Sequence, residues 1–209
     1  MHWGVLDTAR LATVPFLVFA RESGFYLAGG TALALQIGHR ESIDFDFFCE
    51  KEIDTHRLWG SAEASFGVGQ ARVVLQDEGA LIFVTHSGVN VSFYRYRHPH
   101  VVPLLVSDSF DMAHMRDIAV MKLDAMTRRT VQKDYVDMYF ILQEMPLSDV
   151  IDDAQKKLPS IDPQVLLRSL AYFSKAEPET IIYRPNMHVE WRDIEEFLTR
   201  IIREYYRYM

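Results

Sequence analysis

Gly29-Gly30-Thr31, followed by Ile43-Asp44-Phe45-Asp46-Phe47-Phe48, decides how this chain is read. Phe25 to Ala28 is a short apolar run that predicts a strand, and the glycine pair turns it into Ala32 to Ile37, a run of good helix formers that Gly38 stops. Ile43 to Phe48 then alternates apolar and acidic residues, the period-2 pattern of a half-buried strand. Side chains alternate across a strand, so Asp44 and Asp46 share one face, about 6.6 to 7 Å apart along the backbone. An isolated Asp-x-Asp is by default a solvated polar face, and an isolated glycine pair is a tight turn. Here one helix and a short return join them. The helix N-terminus offers free N–H groups to an anion, and the carboxylates suit a hard divalent ion such as magnesium or manganese, which keeps coordination positions for substrate phosphates. The pair predicts a phosphate-plus-metal site.

Working outward, Thr8 to Glu22 predicts an apolar-faced helix capped by Thr8 and stopped at Gly24, and Leu58 to Phe66 predicts another. Ala71 to Gln76, Ala80 to His86 and Val89 to Arg95 read as three strands joined by the turns Asp77-Glu78-Gly79 and Ser87-Gly88. After Pro99 and Pro103 the pattern changes: helical spacing runs from Met112 to about Met126, from Lys133 to Glu144, through shorter Pro-punctuated helices, and from Val189 to Tyr208. The expected fold class is α+β, with a mixed β-sheet domain over residues 1–105, a helical domain over 106–209, and a cleft shared by the two.

Composition narrows the function classes. The chain has 209 residues, 49% apolar and 24% charged, which excludes a disordered or fibrous protein. Its net charge of -7 gives no general attraction to nucleic acid or an anionic membrane, so any polyanion must be bound locally. The one cysteine, Cys49, excludes an intrachain disulfide and a multi-cysteine zinc site, fits a reducing cytoplasm, and by its apolar flank reads as a core thiol. Leu11 to Ala20 is too short to span a bilayer and Pro15 interrupts it, so no membrane partner and a cytoplasmic location are expected. His98-Pro99-His100 lacks a third nearby ligand and reads as a surface turn.

In the helical half, Met115, Ile118, Ala119, Lys122 and Met126 fall on one stripe, which sets a lysine among apolar residues. Such an ammonium needs a phosphate or a buried carboxylate, unless its stem carries it out to water. Asp134 and Asp137 lie one helical turn apart; by spacing alone they are ordinary helix-surface acids, with Lys133 an i,i+4 partner of Asp137. Arg116, Lys122, Arg128, Arg129 and Lys133 form a basic group that Asp117 and Asp124 dilute.

Leu27-Ala28-Gly29-Gly30-Thr31-Ala32-Leu33 with the later Asp44-Phe45-Asp46 resembles the opening motif of the nucleotidyltransferase superfamily. The form His39-Arg40-Glu41-Ser42-Ile43-Asp44-Phe45-Asp46-Phe47-Phe48 resembles the AbiEii/AbiGii abortive-infection toxin family, as do Asp117 to Leu123 and Lys133 to Tyr139. The likeness covers Ser23 to Leu142. It implies a nucleotidyltransferase-like sheet and a magnesium-dependent transfer of NMP from an NTP to an acceptor hydroxyl, on a tRNA end or a protein, with a cognate antitoxin protein as a further partner. It implies Gly29, Gly30, Thr31, Arg40, Ser42 and Lys122 at the nucleotide, Asp44 and Asp46 at the metal, Lys122 and Asp134 among the catalytic residues, and Asp137 as a partner of Lys122 or Arg40. Enzymes of this type carry a third acid on a later strand, and Ser92 occupies that position. Serine cannot serve as the base, so either Asp77 or Glu78 substitutes, or the second metal position is weakened, or the chain is a nucleotide-binding protein of impaired turnover.

Overall fold

Phe45, Phe47, Leu81, Phe83, Val91 and Phe93 are all completely buried. They alternate with half-buried residues such as Asp44, Asp46, Ile82 and Val84, as strands covered on one face require. In a computed structural model, which describes residues 1–207, these segments belong to one mixed six-stranded sheet. The strands are β1 (Tyr26–Ala28), β2 (Asp44–Cys49), β3 (Ala71–Gln76), β4 (Ala80–Thr85), β5 (Asn90–Arg95) and β6 (Asp111–Met112), in the spatial order β3-β4-β5-β2-β1-β6. β2 pairs antiparallel with β1 and parallel with β5, so the acid strand is central.

Aromatic packing fixes the covered face. Phe47 stacks on its register partner Phe93 at 5.1 Å between ring centroids, and Phe93 also meets Phe19 at 5.6 Å and Phe25 at 5.0 Å. Trp59 and Phe66 of a helix over Thr55–Phe66 reach Phe83 at 5.5 and 5.7 Å. Each buried phenyl ring stabilises the fold by about 1.5 to 3 kcal/mol relative to exposure. The opposite face carries Asp44, Asp46, Phe48, Asn90, Ser92 and Tyr94, matched pair by pair in the β2–β5 register.

The helices are α1 (Thr8–Thr13), α2 (Val18–Glu22), α3 (Gly29–Ile37), α4 (Thr55–Phe66), α5 (Met115–Met126), α6 (Gln132–Glu144), α7 (Leu147–Lys157), α8 (Pro163–Leu170) and α9 (Trp191–Arg207). The single helix expected over Thr8 to Glu22 is broken by a 3₁₀ turn, Val14–Leu17, because Pro15 has no N–H to continue the ladder. Its cap is Asp7, whose carboxylate accepts from the Arg10 N–H, and Thr8 is already inside the helix. The strand Asp111–Met112 is too short to show a period, and the helix expected from Met112 starts at Met115. Tyr208, assigned by spacing to the last helix, lies outside the described residues.

Met1–His114 forms one compact unit, containing the sheet, and the residues from Met115 onward form a second, helical one. In the second unit α5 meets α6, α7 and α8, with Ile118, Ala119, Val120 and Leu123 completely buried. Among the described residues no helix is long and apolar enough to cross a membrane.

Candidate active site

The turn from β1 into α3 puts Gly29 at φ +65°, a left-handed conformation that strains residues with a Cβ. Ala28 is extended and its side chain caps nothing, so the first turn of α3 presents backbone N–H groups without a side-chain acceptor from its N-cap. Asp46 lies directly against this turn: a Cβ on Gly29 would sit 3.2 Å from Asp46 Oδ2. A Cβ on Gly30 would sit 2.5 Å from Nη2 of Arg40, so Gly30 makes room for a guanidinium that is itself buried.

Thr31 ties the glycine turn to the acid strand. Its hydroxyl donates to the main-chain carbonyl of Asp44 and lies 2.7 Å from Ser42 Oγ. Thr31 is the donor to both, so its one hydroxyl proton is shared between the Asp44 carbonyl and Ser42 Oγ, both of which accept. Arg40 Nη1 donates to the Glu41 carbonyl at 2.9 Å. Gly29, Gly30, Thr31, Arg40, Ser42, Asp44 and Asp46 are therefore one connected group within the first unit.

Across the ladder, Asn90 faces Asp44 and Ser92 faces Asp46. Asn90 Nδ2 donates to Asp44 Oδ1 at 3.0 Å, a contact the sequence reading did not find. Alternation along Val89 to Tyr94 sets Asn90 and Ser92 opposite the apolar Val89, Val91 and Phe93, but only the register says that they meet the acids, and which one each meets. Asp77 accepts from the Gly79 and Ala80 N–H groups at 2.8 Å each, which makes it the acceptor of its own turn. Among the described residues no group of three or more His, Cys, Asp or Glu side chains is placed to hold a metal ion. Two neighbouring carboxylates do fit magnesium or manganese, which commonly takes one or two protein carboxylates and completes its shell with water and phosphate.

In the second unit Lys122 and Asp134 meet in a buried cluster. Lys122 Nζ lies 2.8 Å from Asp134 Oδ1 and 2.5 Å from Asp137 Oδ2. Arg129, which the sequence places only in a diluted basic group, donates from Nε and Nη2 to Asp134 at 2.9 and 3.1 Å. Burial pushes the Asp134 carboxyl up, but the Lys122 charge and the Arg129 hydrogen bonds outweigh it and hold the group below its ordinary value. The anion required by a lysine in an apolar stripe is thus a pair of carboxylates in this structure. The rest of the basic group is also matched by acids: Arg116 with Asp153, Arg128 with Asp124 and Lys133 with Glu179. Cys49 is buried, and burial raises its thiol pKa, as a core thiol requires.

The fold and these motifs have counterparts. The model of the family described as nucleotidyl transferase AbiEii toxin, type IV toxin–antitoxin system, matches residues 17–204. An uncharacterized protein of Aquifex aeolicus is 35% identical over 187 residues, which cover 87% of each chain. Among solved structures, JHP933 from Helicobacter pylori superposes with a TM-score of 0.59 at 18% identity, covering 95% of this chain and 92% of that one. MenT4, a nucleotidyltransferase toxin of Mycobacterium tuberculosis H37Rv, gives 0.56 at 13% identity, covering 93% and 81%. The match over nearly the whole length shows that this chain belongs to the AbiEii nucleotidyl transferase toxin family and is a nucleotidyltransferase.

Proposed function

We propose that the chain transfers NMP from an NTP to an acceptor hydroxyl, on an RNA end such as that of tRNA or on a protein, with magnesium or manganese as cofactor. The observation that carries this reading is the closeness of Gly29 and Asp46, which sets one carboxylate of the pair beside a helix N-terminus without a side-chain cap. Asp44 and Asp46 would hold the cation. When bound, the cation would neutralise charge on the phosphates and the departing pyrophosphate.

The chain's own contribution is positioning. The N–H groups of Gly29, Gly30 and Thr31 would bind the triphosphate, and the Arg40 guanidinium beside Gly30 adds fixed positive charge. Thr31 holds the main chain of Asp44, so the anion cradle and the acid strand keep one geometry. Ser92 has no basicity and cannot take the proton of the acceptor hydroxyl, which would pass to water or to another base. Lys122 is proposed as a phosphate contact on family likeness; Asp134 and Asp137 hold its ammonium in place. The toxin role, a cognate antitoxin partner and a cytoplasmic site of action are proposed on the same footing.

Ser92 also favours a second reading, nucleotide binding with impaired turnover. Labelled NTPs with magnesium, tRNA and cell protein separate the two. Transfer by wild type that is lost in Asp44→Ala and Asp46→Ala supports the enzyme. Nucleotide-dependent thermal stabilisation without transfer supports the binding protein, and absence of both contradicts each.

A further inference from the structure

Asn90 pairs with Asp44 in the parallel register and donates its side-chain amide to Asp44 Oδ1 at 3.0 Å. Asp44 is the first residue of β2 and its side chain is half-buried, so its carboxylate would otherwise turn freely about two bonds. The Thr31 hydroxyl fixes the main chain of Asp44 at its carbonyl, and Asn90 fixes the side chain. The donor is a neutral amide, so it pins the carboxylate without cancelling its charge, as a lysine in that place would.

We propose that Asn90 is a positioning residue for the cation site: it engages one oxygen of Asp44 and presents the other to a divalent ion. This rests on the reading of Asp44 and Asp46 as the cation-holding pair. Ordering a mobile carboxylate at the moment of ion capture costs rotamer entropy, and an amide that orders it beforehand removes that cost. Such support matters more here than in a site with three acids, because Ser92 leaves two carboxylates to do the binding.

The test is Mn2+ binding to the full chain without nucleotide, read from the electron paramagnetic resonance signal of free Mn2+, with thermal unfolding measured alongside. Asn90 is exposed, so its replacement should leave the melting temperature unchanged. Asn90→Ala is expected to weaken Mn2+ binding about 10-fold, as loss of a hydrogen bond to a metal ligand does. Asn90→Ser, which keeps a donor, should recover part of that loss. Wild-type affinity in Asn90→Ala, with binding abolished in Asp44→Ala, would overturn the role of Asn90 and leave the cation site standing. Wild-type affinity in Asp44→Ala as well would overturn the cation site itself. A fall in melting temperature together with affinity in Asn90→Ala would mark Asn90 as structural and also overturn the proposal.

Discussion

Ser92 stands directly opposite Asp46 in the parallel ladder of β2 and β5, on the face of the sheet that carries both acids. A carboxylate introduced there would lie beside Asp46 and add a third oxygen ligand. Ser92→Asp is therefore expected to lower the magnesium concentration for half-maximal transfer by about 10-fold, since affinity follows the number of charged ligands. A titration of transfer rate against magnesium checks it; an unchanged or higher requirement would count against the placement of the cation.

Gly29 is constrained twice, by φ +65° and by Asp46 Oδ2 at 3.2 Å from the position of a Cβ. Gly29→Ala should cost about 1 to 2 kcal/mol in stability from the left-handed conformation alone. Because the new methyl group presses on Asp46, it should also raise the magnesium requirement. Chemical denaturation and the same magnesium titration read the two effects separately.

The acid pair could be read from sequence because its information is local. Alternation between Ile43 and Phe48 places Asp44 and Asp46 on one face whatever the rest of the chain does. The glycine turn was legible for the same reason, as was the mixed sheet followed by helices. The strand order was not, because the flanking of β2 by β1 and β5 is decided by which apolar faces meet across long separations. Asn90 was missed on that ground: its partner lies 46 residues away, and only the register says which acid it faces. The two-pronged grip of Arg129 on Asp134 was missed because exposed arginines near acids are common, and nothing in the spacing of this one sets it apart from the rest of the basic group.

Asp134 gives a pH dependence of defined sign. Its folded pKa lies below the unfolded value, so its contribution to stability is complete above the unfolded value of about 3.9 and disappears as pH falls through the folded one. Arg129→Gln removes one cause of the depression. Thermal unfolding between pH 7 and pH 2 should then show lower stability at neutral pH and a shallower loss in acid. At the alkaline end Tyr135, pushed up to about 12 by burial and by the Asp134 charge, donates to the Ser169 carbonyl. Its contribution is complete below about pH 10 and is lost as pH rises towards 12.

Lys157 and Asp117 form an ion pair at 2.6 Å with both side chains completely buried. Lys157→Met takes the ammonium away from the buried Asp117 carboxylate and should destabilise the protein by about 3 to 5 kcal/mol. Lys157→Met with Asp117→Leu should recover most of that, because an apolar pair of similar volume avoids the desolvation of two charges. Denaturant unfolding of the two variants decides it: equal losses would contradict the pairing.

The joint role of Asp44 and Asp46 in nucleotidyl transfer is the core of the proposed function. It is tested most directly by incorporation of label from an α-phosphate-labelled NTP into cell RNA and protein, with magnesium, by wild type, Asp44→Asn and Asp46→Asn. Both changes keep the shape of the side chain and remove its charge. The expected result is transfer by wild type and a loss of about 100-fold or more in each variant, with melting temperatures unchanged. Wild-type rates in either variant would contradict it.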